Sequence, residues 1–488
     1  MKRLFIFFTA LMAVYASFAN NVQLSDIVYN NGAGTVSFSI SWENSWRVST
    51  APNNWDAAWV FVKRRNCADQ FWKQQYLAAS GHTAAGSLEV QTVPDSVGVF
   101  IRRSSNGSGN IASTAITLKL GSVPVPLNEW DFKVFAIEMT FVPQGAFSVG
   151  DGGTNYYSFR EGGSGVPGTP FKITSESAIT FANTAGNLWD AAAATSNYAP
   201  GGNSIGIDFP KGYRGFYAMK YEISQGQYTD FLNSLPQDVA QSKQVVTNTY
   251  RNTVTGVWPL FTCNTPNRAM SNFNWSDLCS YLDWSGLAPM SELEFEKLSR
   301  GVSTPVANEF AWGLNTATRA FSVVNDGTNQ EGVSETVAVG TGLGVYGGNT
   351  GNGPQGPLRV GFAAKNATSR AEAGSGYYGN MELTGNVAEF VTGVHGTAGA
   401  TFKWDAHGDG NIPSPSGLSN VSGWVNQTAK DNSAAGAAAS LKGGSWTNRI
   451  GVSVEDQSLR VSDRYYSSNS FATANINIGG RGVRRVFN

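Results

Sequence analysis

The sequence predicts an α+β fold in two parts: an N-terminal all-β sandwich, then a longer region with few helices and long loops. Three observations carry this. From about Asn21 to Leu120 the apolar residues recur with period two, and no amphipathic stretch of helical length interrupts them. Beyond Val123-Pro124-Val125-Pro126, stripes of helical period are few, and two of them start at a capping box. The rest is rich in Gly, Ser and Asn, with 56 glycines among 488 residues, which marks long ordered loops.

The chain opens Met1-Lys2-Arg3, runs apolar through Leu4–Phe8 and Ala10–Tyr15, and reaches Ser17-Phe18-Ala19. A charged start, a short apolar run and small residues at a cleavage site predict a secretory signal over 1–19, cut after Ala19. The run is shorter than the ~20 residues a membrane span needs, and no later run reaches that length. The expected location is therefore extracytoplasmic (periplasm, cell surface or medium), with no membrane span. A net charge of -1 gives no electrostatic handle on nucleic acid.

In the β module (20–122), Val36, Phe38, Ile40 and Trp42 alternate with Ser. Trp59 and Phe61 oppose Ala58, Val60 and Val62, and Val97, Val99 and Ile101 alternate with Gly98 and Phe100. Asn30-Asn31-Gly32, Pro52-Asn53-Asn54 and Asn106-Gly107 supply the turns, so a sandwich of about seven short strands follows. Trp42, Trp46, Trp55, Trp59 and Trp72 concentrate here, and strand packing is favoured over a carbohydrate platform. The Pro-rich stretch 123–128 reads as a stiff linker, placing the second domain at 129–488.

That domain starts with a hairpin, Val134–Pro143 then Gly145–Gly150, and continues into a Gly/Ser/Asn-rich insertion (about 151–203) that reads as loop. Phe216–Ile223 is a strand leading into a helix whose capping box is Ser224 with Gln227. A second helix is expected over Asn274–Trp284. A third is announced by Ser291 with Glu294, a Met290–Phe295 staple and a stop at Gly301.

Several further motifs occur in order. They are Gly145-Ala146-Phe147 with Gly150, Tyr221-Glu222-Ile223 before Gln227-Tyr228, Leu287–Glu296, Phe310-Ala311-Trp312-Gly313, Gly385-Asn386-Val387-Ala388-Glu389 and Gly443-Gly444-Ser445-Trp446. Near its end stands Gly479-Gly480-Arg481-Gly482-Val483-Arg484. Over Phe135–Val486 this series resembles the formylglycine-generating enzyme, or sulfatase-modifying factor, family. The resemblance implies a C-type-lectin-like second domain; the β module is not part of that family core.

The resemblance also implies a chemistry that this chain departs from. Active members hold Cu(I) on two cysteine thiolates, soft ligands suited to that ion. These follow Gly-Gly-Ser and precede the final Gly-Phe-Arg. Here those neighbourhoods read Thr447-Asn448-Arg449 and Ser467-Ser468-Asn469-Ser470, and the cysteines, Cys67, Cys263 and Cys279, lie elsewhere. Copper is not expected, nor any catalytic residue. Relatives that bind Fe(II) use three histidines from an added helical domain, whereas His82, His395 and His407 are scattered here. The family's structural Ca2+ implies Glu382, Gly385, Val387 and Glu389 as ligands, hard oxygens from a looped backbone. Ala388 stands where the family normally has Trp.

The expected function is an exported non-catalytic binding or structural protein that contacts a protein or glycan. Its expected face is the loop Thr447–Asn477 with Trp446, including Asn448, Tyr465, Tyr466 and Asn469, since Tyr, Ser and Asn give adaptable contacts. The alternative is a metal-dependent oxidoreductase of the formylglycine-generating kind with unrecognised ligands.

Overall fold

The computed structural model describes residues 21–66, 71–122, 130–165, 167–190, 199–245, 249–348, 351, 353–364, 367–431, 439–450, 454–467 and 472–486. The expected signal (1–19) and linker (123–128), with Cys67 and Asn469, lie outside the described residues. The fold is mainly β with few helices, an α+β arrangement.

Strands β1 (Gln23–Asn30), β2 (Thr35–Arg47), β3 (Asp56–Asn66), β4 (Lys73–Gln75), β5 (Thr83–Ala84), β6 (Leu88–Thr92), β7 (Gly98–Arg103) and β8 (Gly107–Lys119) precede the Pro-rich stretch. The order β1-β2-β8-β5 makes one four-stranded sheet. A second sheet of eight strands runs Ala288–Pro289, Gly482–Arg485, Phe216–Met219, β9 (Trp130–Val142), β3, β7 and β6, with β4 also on β3. This sheet continues across the expected domain division, because β3 pairs with β9 along its whole length, from Asp56↔Thr140 to Asn66↔Trp130.

The sharing explains the apolar run in β3. Ala58, Val60 and Val62 face Val36, Phe38, Ile40 and Trp42 between the two sheets. Ala57, Trp59 and Phe61 face the helices on the other side. A strand covered on both faces has no solvent side to keep polar. Burying each large side chain contributes roughly 1.5–3 kcal/mol. Polar ties add direction: the Trp59 indole N–H donates to Ser285 O (2.8 Å), and Lys63 Nζ to Trp284 O (2.6 Å).

The helices begin where capping chemistry predicts. In α1 (Gln225–Leu232) Ser224 and Gln227 form the capping box. Asn274 caps α3 (Trp275–Ser285), which ends at Gly286 with φ +72°. Ser291 and Glu294 box α4 (Glu292–Arg300), and every residue of α3 and α4 is buried. A short α2 (Gln237–Lys243) follows Pro236. The insertion expected as loop holds short ladders, among them Phe159–Glu161 with Leu188–Asp190 and Ile179–Thr180 with Ser204–Ile205.

Candidate functional site

The Gly385-Asn386-Val387 and Gly443–Trp446 turns are bonded to each other. Gly385 N–H donates to Gly443 O (2.8 Å) and Trp446 N–H to Asn386 O (2.9 Å). Gly385 has φ +81°, and a Cβ there would lie 2.3 Å from Val345 O, so only glycine fits. The Asn386 side chain accepts from Leu358 N–H (2.8 Å) and donates to Glu222 (2.5 Å). Beside this joint Ser445 Oγ lies 2.8 Å from Thr447 Oγ1 and 3.0 Å from Asn448 Oδ1, and Asn477 Nδ2 donates to Ser445 Oγ (3.1 Å). These donors are hydroxyls and amides. The thiols sit elsewhere: Cys279 is fully buried on α3 and Cys263 half-buried, both free. Burial pushes the Cys279 thiol well above its ordinary pKa, which leaves it protonated and inert.

The carboxylates expected at a cation site lie together. Glu389 is held by Arg481 through two bonds of 2.7 and 2.6 Å, while Glu382 accepts Gly361 N–H (2.9 and 3.0 Å). Glu222 stands beside them. Burial, with the charges of Glu382 and Glu389, pushes its carboxyl well up, and burial pushes Glu382 up to about 7. Their oxygens are hard donors, the type a hard cation takes, while those of Glu389 are spent on Arg481 and those of Glu382 on Gly361 N–H. Among the described residues no three His, Cys, Asp or Glu side chains are grouped to hold a metal. A cation here would depend on backbone carbonyls, the role expected of Gly385 and Val387.

The histidines are engaged separately. His82 bonds Ala78 O (2.8 Å) and Lys119 N (3.1 Å), His395 approaches Ser440 Oγ (3.5 Å), and His407 accepts Arg485 N–H (2.9 Å).

The expected binding residues fall into two groups. Trp446 is not on an exposed face: at 1% exposure it packs with Leu343, Val345, Leu358 and Phe362. Its backbone N–H is held by Asn386 O and its indole N–H donates to Ile476 O (3.4 Å), so the ring fills that small core. Asn448 belongs to the Ser445 network beside it. Tyr465 and Tyr466 are half-buried on another face, with ring centroids 5.0 Å apart. They are joined by Tyr156 and Tyr157 from the insertion, which no motif marked. Tyr156 meets Tyr157 at 6.0 Å and Tyr465 at 5.8 Å.

This tyrosine face is fixed from beneath. Asp463 accepts the N–H of Tyr156 (3.1 Å) and of Tyr465 (3.0 Å). Arg464 donates its backbone N–H to Tyr156 O (2.9 Å) and its guanidinium to Tyr157 O (3.1 Å). That guanidinium is buried, stacks on Phe159 at 3.9 Å and pairs with Glu292 of α4 at 2.8 Å. At the edge Arg460 donates to Asn155 and Asn308 (3.2 Å each). The loop backbone is thus tied from beneath, and the four tyrosines stay partly exposed while Asn155 is itself buried.

A separate cleft of about 480 Å3 opens between the segments 324–337 and 362–372. Its acidic groups are committed: Glu331 to Arg268 (2.5 Å), and Glu335 to Phe321 and Ser322 N–H (3.0 and 2.8 Å).

Among the described residues no helix is long and apolar enough to cross a membrane. No family model matches the chain, and no curated protein matches it. Among solved structures, a chain described under "pH-induced modulation of Streptococcus parasanguinis adhesion by Fap1 fimbriae" is 13% identical, covering 33% of this chain and 84% of its own. Its TM-score of 0.13 is too low to carry an argument.

Proposed function

We propose that the protein is an exported, non-catalytic binding or structural protein. Its second domain is a C-type-lectin-like scaffold of the formylglycine-generating-enzyme kind, and it contacts a protein or glycan. The observation that carries this reading is the face of Tyr156, Tyr157, Tyr465 and Tyr466, set on the rigid Asp463–Arg464 support. Aromatic rings on a fixed backbone bind with little loss of freedom, and neighbouring amides supply orientation. The hydroxyl and amide groups around Ser445 favour binding over redox chemistry, since they lack the soft sulfur that Cu(I) requires.

In this reading Ca2+ is a structural ion, with Glu382, Gly385, Val387 and Glu389 as its ligands, and copper has no place. Glycan and surface-protein binding screens of the mature protein, run beside a Tyr156→Ala/Tyr465→Ala variant, test it. Ligands bound by the native chain and lost by the variant are expected. Copper-dependent oxygen consumption with a cysteine-containing sulfatase peptide would establish the oxidase reading instead.

A further inference from the structure

The cleft between the segments 324–337 and 362–372 combines an apolar floor with charged walls. Its volume of about 480 Å3 lies in the range of small-molecule sites. Leu343, Phe362 and Ala363 form the floor, packed in the small core that also holds Trp446. Burial alternates along 333–337: Val333, Glu335 and Val337 are half-buried, whereas Ser334 and Thr336 are exposed. The more buried set is two valines with a carboxylate between them, and all three line the cleft.

The three glutamates of the cleft are held differently. Glu331 pairs with Arg251 (2.9 Å) and Arg268 (2.5 Å), so its charge is cancelled. Glu335 accepts the N–H groups of Phe321 (3.0 Å) and Ser322 (2.8 Å). On the opposite wall Glu372 accepts the N–H (2.6 Å) and the hydroxyl (2.7 Å) of Thr368. Those bonds hold Glu372 below its ordinary pKa; at Glu335 burial pulls upward and the N–H bonds outweigh it, so it too stays below. Such bonds keep a carboxylate ionised but bring no positive charge to it. Among the described residues neither Glu335 nor Glu372 makes an ion pair, and Glu372 bonds through Oε2 alone, which leaves Oε1 open.

We propose that this cleft binds a small organic cation, an ammonium group carried on an apolar body. The body lies on Phe362, Val333 and Val337, and the ammonium donates to Glu372 Oε1 within the field of Glu335. Removing the body from water supplies affinity. The two uncancelled carboxylates supply selection, since a neutral or anionic head leaves them without a counter-charge. A metal ion suits the place less well: among the described residues no three acidic side chains are grouped to hold one, and the space is that of an organic molecule. None of the four tyrosines of the candidate face lines this cleft, so its ligand is independent of that face.

Calorimetric titration of the full mature protein with phenethylamine, phenethyl alcohol and hydrocinnamate tests this, because the three share a body and differ in the head group. The amine should bind about tenfold more tightly than the alcohol, and the carboxylate more weakly than either. Glu372→Gln should weaken the amine roughly fivefold and leave the alcohol unchanged. Glu335→Gln should act in the same direction; Glu372 stands outside the 321–335 turn, so its variant reads the charge even if that turn is disturbed. Methyl NMR signals of Val333, Val337 and Leu343 should shift as the amine is added. Equal affinity for amine and alcohol overturns the proposal, as does amine affinity unchanged by Glu372→Gln. Shifts confined to methyl groups outside the cleft, or no binding of the amine up to about 10 mM, overturn it too.

Discussion

The rings of Tyr156 and Tyr465 meet edge to face, their centroids 5.8 Å apart and their planes at 71°. The chain delivers them from distant points of its sequence. One carboxylate, Asp463, collects both backbone N–H groups, so the contact depends on a single buried side chain at 2% exposure.

Asp463→Ala should therefore loosen this face. It leaves two N–H donors unpaired in a buried setting, at about 1–3 kcal/mol for each. The expected outcome is lower stability in urea, with faster amide exchange at Tyr156 and Tyr465 than at α3, which lies elsewhere in the core. Equal acceleration at all three places would mean that Asp463 supports the whole fold instead.

The same residue sets a pH dependence. Burial pushes the Asp463 carboxyl up to about 7, and burial raises Asp283 similarly to about 7. Both ionise near 4 when unfolded. A raised carboxyl binds its proton more tightly in the folded state, so its contribution is complete below about pH 4 and is lost as pH climbs towards 7. Stability should fall across that window. Asp463→Asn, which cannot ionise, should make the fall shallower by up to about 1.4 kcal/mol per pH unit. Denaturation curves at pH 4.5, 5.5 and 6.5 measure this, and parallel slopes for the two proteins would refute it.

Arg481 carries a different load. Its guanidinium holds Glu389 and also donates to the carbonyls of Met219 (3.1 Å), Lys220 (3.2 Å) and Met381 (2.7 Å). Arg481→Met leaves Glu389 buried without a counter-charge beside Glu222 and Glu382, a loss of about 3–5 kcal/mol. Replacing both partners, Arg481→Met with Glu389→Met, should recover part of it. A double-mutant cycle in urea measures the coupling, and values near zero would show that the carbonyl contacts alone matter.

Local chemistry made parts of this molecule legible in sequence. The capping boxes at Ser224–Gln227 and Ser291–Glu294 and the glycine stop at Gly301 are closed within a few residues, so their signals need no tertiary context. Period two located β2 and β7, and the mixed apolar run in β3 was visible. That its second face is covered by helices was not, because the residues that pack there lie far downstream in the chain. Helix α2 has seven residues and little beyond Pro236 and Asp238 to announce it. Tyr465 and Tyr466 were singled out as candidates, yet Tyr156 and Tyr157 were hidden in a Gly-rich insertion with no periodicity. Trp446 was expected outside because a motif gives residue type and spacing, and not the depth at which its ring packs.

The thiols offer a last discriminating measurement. An oxidase of the formylglycine-generating kind requires a reactive, metal-binding thiolate, and Cys279 is placed to be the opposite. It lies on α3 at 0% exposure within the main core, and burial drives its pKa well up while Lys243 opposes only in part. The thiolate is the nucleophile, so alkylation requires both ionisation and access. Treated with iodoacetamide at pH 8, the folded protein should carry label at half-buried Cys263 before any appears at Cys279. In urea both should react at similar rates. Cys279→Ala should cost roughly 1 kcal/mol for the small cavity it leaves, and should not alter metal content or oxygen consumption. Rapid labelling of Cys279 in the folded state, or bound copper lost on its substitution, would place soft-metal chemistry back in this domain. Peptide-level mass spectrometry after brief labelling separates these outcomes.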